Sequence, residues 1–395
     1  MLSTLTPAPL DPILSLTVAF REDQRANKMD LGIGVYKDEH GATPVMAAVK
    51  ASQEQVFATQ ETKAYVGLVG REGFNRFMID LVLGDSAAKE RAVGLQTPGA
   101  SGALRMLADL IRRATPSAKV WISNPSYVNH QPVMESAGLV VEKYDYFDPE
   151  TKQVNEAAML ASLEHASAGD VVLLHGCCHN PTGADISFDA WQQLTEMALQ
   201  RGFVPFVDIA YQGFGDGLEQ DAAGLRYMAE RVPEMLIATS CSKNFGLYRE
   251  RTGAAIIVGK TLDNARLGLG RLLQLARSTY TMPPDHGAAI VETILADDQL
   301  KAQWLSELNV MQQRLRSLRE GLVNAFHARD CFDFDFIAQH KGMFSHTGLT
   351  VEQIDALRDE HGIYMVGDGR INIAGLQEER LAELVDAILQ VIQKA

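Results

Sequence analysis

The segment Ser240-Cys-Ser-Lys-Asn-Phe-Gly-Leu-Tyr-Arg-Glu-Arg251 combines a lysine that can act as a nucleophile with an arginine that can hold an anion. Lys243 lies between two apolar runs, Met235-Leu-Ile-Ala238 and Gly253-Ala-Ala-Ile-Ile-Val258, with a turn at Gly246. That pattern puts it on a loop at the end of a strand, where open α/β sheets hold their ligands. Burial or neighbouring cations lower a lysine's pKa and free its amine to form a Schiff base with an aldehyde. Arg251 offers a planar fork of donors suited to phosphate. Aldehyde and phosphate in one molecule describe pyridoxal 5'-phosphate (PLP). A bare Ser-x-x-Lys is more often a surface lysine near a structural salt bridge.

Other residues could serve the same chemistry, and each has a plainer alternative. Asp208 follows the run Phe203-Val-Pro-Phe-Val207 and is placed to keep a pyridine nitrogen protonated, or equally to cap a helix. Gln96-Thr-Pro-Gly-Ala-Ser-Gly-Ala-Leu104 reads as a loop turning into a helix. The free N–H groups of such a start attract anions and Ser101 adds a hydroxyl, although an ordinary cap is the simpler reading. The glycines of Leu31-Gly-Ile-Gly-Val-Tyr-Lys37 permit close backbone approach or a mere turn. Asn180-Pro-Thr-Gly183 has the composition of a turn. Arg277 and Arg370, taken singly, read as surface salt-bridge residues.

These residues need a frame. Short apolar runs at Val120–Ile122, Val171–Leu174, Phe203–Val207, Met235–Ile237 and Ala254–Val258 alternate with helical patterns, which predicts a mostly parallel sheet covered on both faces. A polar or aromatic residue follows each run, so these residues share one edge of the sheet. Helices are expected over Pro12–Phe20 with Asp11 as cap, Pro44–Thr59, Asp298–Phe326, Thr350–Glu360 and Gln377–Lys394, with short strands at Tyr364–Val366 and Arg370–Ile373. The expected division is an arm over 1–11, a small domain from 12–42 and 294–395, and a large domain over 43–293.

The chain has 395 residues, 46% hydrophobic and 22% charged, which suits a globular protein with more than one core. Its net charge of -14 argues against nucleic-acid or anionic-membrane partners. Four cysteines, Cys177, Cys178, Cys241 and Cys331, are too few for a disulfide framework. Cys177-Cys178-His179 lacks a second ligand pair, so no metal is expected. With no basic leader and no apolar run of membrane length, a soluble cytoplasmic protein is expected.

The twelve-residue lysine segment resembles the PLP-lysine segment of class I aminotransferases, in the aspartate and aromatic amino acid branch. The resemblance extends over almost the whole chain, through Leu31–Lys37, His175–Gly183, Asp208–Phe214, Gly342-Met-Phe-Ser345 and Gly362-Ile-Tyr364. It implies an α/β fold of the PLP-dependent transferase type I, with a large mostly parallel domain and a smaller α/β domain. It further implies that Lys243 is the catalytic residue, working as base and then acid. Cofactor contacts carried over are Gly99, Ala100, Ser101, Ser240 and Arg251 at the phosphate, Asp208 at the ring nitrogen, and Asn180 and Tyr211 at the phenolic oxygen. Tyr127 would stack on the ring, and Tyr65 would reach the phosphate of a neighbouring subunit. For substrate, the amide of Gly34, Asn180 and Arg370 would meet the α-carboxylate. Arg277 of a second subunit would meet a side-chain carboxylate.

Asp216-Gly-Leu-Glu, Asp221-Ala-Ala-Gly224 and Tyr248-Arg-Glu-Arg251 are most similar to bacterial aromatic aminotransferases. The expected activity moves an amino group from aromatic amino acids or aspartate to 2-oxoglutarate by a ping-pong cycle in a homodimer with shared sites. The alternative is an aspartate aminotransferase with little aromatic activity. Tyr127 stands where the family usually has tryptophan, and Met282 is apolar where aspartate-specific relatives tend to be polar. Both lean towards aromatic side chains. Lys37 and Thr43 match the aspartate-type lining. A PLP-sensing regulator is disfavoured because the family pattern starts near residue 11, and a lyase or decarboxylase because Arg277 and Arg370 are both retained.

Overall fold

The computed structural model describes residues 2–7 and 12–394, so the cap expected at Asp11 and part of the arm lie outside the described residues. The apolar runs form strands. In chain order these are β1 (Ala92–Pro98), β2 (Lys119–Asn124), β3 (Val140–Asp145), β4 (Val171–His175), β5 (Val204–Ile209), β6 (Met235–Ser240) and β7 (Thr252–Val258). They make one seven-stranded sheet in the order β1-β7-β6-β5-β4-β2-β3. Only β7 runs against its neighbours, and the remaining pairs are parallel.

Successive residues of a strand face opposite sides of the sheet. In β4, Val171 and Leu173 enter one apolar core while Val172 and Leu174 enter the other. Such a strand is buried on both faces, which explains its unbroken apolar run. The apolar-run pattern misses β1 and β3, the two edges of the sheet. Strand β3 carries Glu142, Lys143 and Asp145 and is exposed at both ends and at Lys143. Strand β1 hides polar side chains by hydrogen bonding them: Gln96 accepts from the Arg71 amide and donates to the Pro284 carbonyl, and Thr97 donates to the Gly99 carbonyl.

Helix α1 (Gly99–Ala114) begins directly where β1 ends. The loop expected at Gln96 is therefore the end of a strand, because pairing with β7 continues to Pro98. Leu104, Leu107 and Ile111 bury the inner face of α1. The long helix α2 (Asp298–His327) starts at Asp297, whose side chain accepts the amides of Gln299 and Leu300. Its Trp304 donates to the Asn244 carbonyl at 2.7 Å and stacks on Phe245, with ring centroids 4.3 Å apart.

A second group of elements lies beside the sheet. Met29–Asp30 pairs parallel with Ile363–Tyr364, and Phe344–His346 pairs antiparallel with Arg370–Asn372. The C-terminal helix is shorter than its periodicity suggests, running over Leu381–Gln393 after a separate turn at Glu378–Arg380. Among the described residues no helix is long and apolar enough to cross a membrane.

Candidate active site

The parallel strands end along one edge, and the residues following them line a cavity of about 240 Å³. Lys243 lies at its centre, three residues after β6. Its loop is held by Trp304 at Asn244, by Asn244 Nδ2 donating to the Gln212 carbonyl, and by the Gly246 amide donating to the Lys243 carbonyl. The Lys243 amine donates to the Gly34 carbonyl at 2.9 Å and lies 4.8 Å from the Tyr248 ring centroid. Burial, then the charges of Arg370 and Arg251, lower its pKa from 10.5 to about 8. The free amine is thus far more populated near neutral pH than in an ordinary lysine, and no carboxylate of a described residue forms an ion pair with it.

At one end of the cavity the start of α1 is open. Pro98 provides no side-chain cap, and Ala100 and Ser101 line the cavity together with Ser240 and Arg251. Gly99 has φ +67°, and a Cβ there would lie 2.9 Å from Arg251 Nη2. Gly253 in β7 is equally confined, since its Cβ would meet the Ala100 nitrogen at 2.9 Å. The antiparallel register sets Gly253 opposite both Thr97 and Ser240, which brings the helix start, the serine and the arginine together. Uncapped amides, two hydroxyls and a guanidinium suit a phosphate dianion.

Asp208, near the end of β5, is buried and bound through one oxygen. His130 Nε2 donates to Oδ2 at 2.9 Å, while Oδ1 has no hydrogen-bond partner. Ser126 Oγ meets His130 Nδ1 at 2.9 Å and His175 Nε2 at 3.3 Å. Burial, then the neighbouring histidines, holds His175 well below its ordinary pKa. An orphaned buried carboxylate oxygen suits a cationic N–H donor such as a protonated pyridine nitrogen. Asn180 and Tyr211, both buried, line the cavity beside it.

Arg370 projects from the small-element side. Its Nη1 donates to Asn180 Oδ1 at 3.2 Å and its Nη2 to the Gly32 carbonyl at 3.0 Å, leaving a buried Nε with no partner. Its guanidinium lies 4.4 Å from the Phe344 ring centroid. The adjacent loop is tied down by Asn372 Nδ2, which donates to the carbonyls of Ile33 and Val35, and by the Tyr36 amide, which donates to Tyr248 Oη.

Gly34, Ala100, Ser101, Tyr127, Asn180, Asp208, Tyr211, Ser240, Lys243, Arg251 and Arg370 thus share one cavity, with Gly99 directly behind Arg251. Tyr65 and Arg277 do not line it. Both are exposed, and their segments meet through the Val66 amide, which donates to Met282 Sδ at 3.2 Å. Lys37 and Thr43 also turn elsewhere. Lys37 pairs with Asp30 at 3.5 Å and Thr43 donates to the Tyr36 carbonyl. Sequence reasoning passed over His130, Tyr248 and Phe344. The last two stand inside quoted motifs, whereas nothing near His130 signals its partner.

The model of the family described as aminotransferase class I and II matches residues 26–388. An aromatic-amino-acid aminotransferase of Paracoccus denitrificans is 47% identical over 392 residues, covering 99% of this chain and 100% of the relative. An aspartate aminotransferase of Salmonella typhi is 45% identical over 396 residues, with the same coverage of 99% and 100%. Among solved structures, an aromatic-amino-acid aminotransferase of Burkholderia pseudomallei covalently bound to pyridoxal phosphate has a TM-score of 0.97 at 42% identity, covering 99% of each chain. The lysine loop, the open helix start and the buried Arg370 therefore sit in a chain that belongs to the class I and II aminotransferase family.

Proposed function

We propose that this aminotransferase binds PLP through Lys243 and moves the amino group of phenylalanine, tyrosine, tryptophan or aspartate onto 2-oxoglutarate in a ping-pong cycle. One observation carries the reading: the Lys243 amine, bonded to the Gly34 carbonyl and to no carboxylate of a described residue, shares its cavity with the orphaned Asp208 Oδ1 and the unpartnered Arg370 Nε. When bound, PLP supplies an aldehyde carbon that condenses with amines and a ring that accepts the electrons of a broken bond. The residues present fit it. Gly99, Ala100, Ser101, Ser240 and Arg251 would hold the phosphate, Asp208 the ring nitrogen, Asn180 and Tyr211 the phenolic oxygen, and Tyr127 the ring face.

Arg370, with the Gly34 amide and Asn180, binds the substrate α-carboxylate and so orients the α-carbon towards Lys243. A planar fork can do this bidentately where a lysine cannot. Lys243, as the free amine, takes the proton from the α-carbon and later releases it. Phe344 keeps the Arg370 guanidinium in plane from below.

A homodimer with shared sites completes the reading. Tyr65 and Arg277 lie outside their own cavity on neighbouring exposed segments, which suits delivery to the cavity of a second copy. There Arg277 would meet a side-chain carboxylate. The small domain is assigned to 12–42 and 294–395 and the large domain to 43–293. A well-folded monomer with full activity would remove the shared site.

The deciding measurement is the visible spectrum of the purified protein with PLP, before and after separate additions of phenylalanine and aspartate without an oxo acid. Conversion of the cofactor band by both supports dual specificity. Conversion by aspartate alone returns the narrower aspartate reading, and no band or no conversion overturns the assignment.

A further inference from the structure

We propose that Cys177, Cys178 and Asp221 form a site for a thiophilic divalent cation of the zinc or cadmium kind, set behind the cavity wall. The two Sγ atoms and a carboxylate oxygen of Asp221 all lie within 4.8 Å of one another, and all three residues are buried. The proposed transamination uses none of them, so the inference stands independently of that reading.

Consecutive residues of an extended chain send their side chains to opposite sides, so two adjacent thiols do not normally converge on a third ligand. Here Cys178 has φ +52°, a left-handed conformation unusual for a residue with a side chain. Asp185 fixes that turn by accepting the amides of Cys178 and His179, each at 2.8 Å. Gly342 packs against its outer side, where a Cβ would come within 2.3 Å of the Cys178 Cβ. The third ligand is oriented as firmly. Asp221 Oδ2 accepts the amides of Gly213 at 2.8 Å and Gly215 at 2.9 Å, and Oδ1 accepts that of Asp216 at 2.7 Å. These bonds fix the carboxylate beside the sulfurs, and outer contacts of this kind hold metal ligands in place.

The donor set chooses the ion. Two thiolates and one carboxylate favour soft and borderline cations over magnesium or calcium, and three protein ligands leave a fourth position for water or a small anion. Each metal–sulfur bond replaces an S–H bond. Two protons therefore leave for solvent as the ion enters, no electron is transferred, and the net charge of the buried site is unchanged. Cys177 also lines the cavity, which provides a route in.

The test is to dialyse the full-length, PLP-loaded protein against cadmium, remove free ion, and measure retained metal and the ultraviolet thiolate-to-cadmium charge-transfer band. A Cys331→Ser background removes the part-exposed thiol. One retained cadmium per chain is expected, with the band present. Cys177→Ser and Cys178→Ser should each weaken retention by at least roughly 10-fold and reduce the band, because serine keeps the size but not the softness. No retained cadmium, or retention that survives both serine substitutions, would overturn the site. Loss of binding in the Cys331→Ser background alone would do the same.

Discussion

Asp208 is held by His130 through one carboxylate oxygen, Nε2 to Oδ2 at 2.9 Å, while the other oxygen is buried without a partner. In the tautomer that donates from Nε2 alone, His130 Nδ1 accepts from Ser126, whose oxygen is then left to accept from His175. The chain of bonds orients the carboxylate.

Asp208→Asn should therefore lower kcat/KM by roughly 10²- to 10³-fold, comparable to removing one preorganised electrostatic contact from an active site. His130→Ala acts through Asp208 and should cost less, about 10- to 100-fold, as for other outer-shell partners. Steady-state kinetics of the two variants test the order. A larger loss in His130→Ala than in Asp208→Asn would assign the histidine a direct role.

The Lys243 amine makes stability depend on pH. Its pKa falls from 10.5 to about 8 on folding, through burial and then Arg370 and Arg251. Between those values the unfolded chain binds more protons, so the stability of the cofactor-free protein rises with pH across about 8 to 10.5. Below about 8 the cost of burying the ammonium is fully present, on the order of 3 kcal/mol. Lys243→Met should be more stable near neutral pH and lose this rise, as measured by urea unfolding on either side of the window. An unchanged pH slope in the variant would sink the account. Arg370→Met should move the lysine pKa upward and narrow the window, since it removes a like charge.

Gly99→Ala should weaken PLP binding without touching catalytic groups. The position has φ +67°, where a side chain costs about 1–2 kcal/mol, and the added methyl would press on Arg251 Nη2 at 2.9 Å. Displacing that guanidinium predicts roughly a 10-fold higher PLP dissociation constant, equivalent to about 1.4 kcal/mol. Equilibrium dialysis against PLP measures it directly. An unchanged constant would mean that Arg251 is not held by the helix start.

What could be read from the chain, and what could not, follows from sequence distance. The lysine loop, the open helix start and Asp208 announce themselves because an apolar run, a turn and a polar residue lie within a few positions. The sheet followed for the same reason in its buried centre, whereas β3, whose apolar run is broken by Glu142, Lys143 and Asp145, did not. His130 and Asp208 are 78 positions apart, and Asn372 reaches Ile33 across 339. No local pattern encodes such contacts. The convergence of Cys177, Cys178 and Asp221 is of the same kind, since it depends on one left-handed turn and on a helix start far downstream.

Arg370 and Arg277 should separate by substrate. Arg370 is buried, with an unpartnered Nε and a ring beneath it, so Arg370→Lys loses the bidentate grip for every amino acid. A loss of about 10- to 10²-fold in kcat/KM is expected for phenylalanine and aspartate alike, the worth of a hydrogen bond to a charged group. Arg277→Ala should reduce aspartate and 2-oxoglutarate turnover while leaving phenylalanine nearly unchanged. Tyr127 is proposed to adjust the balance between them. Its ring meets His130 edge-on, with centroids 5.3 Å apart, so an indole there would place its N–H differently from the phenol. Tyr127→Trp should raise the aspartate-to-phenylalanine ratio of kcat/KM by roughly 3- to 10-fold, one ordinary hydrogen bond. Single-turnover conversion of the PLP band by each amino acid measures that ratio. If Tyr127→Trp leaves it where it was, the specificity lies in Arg277 and Met282 rather than in Tyr127.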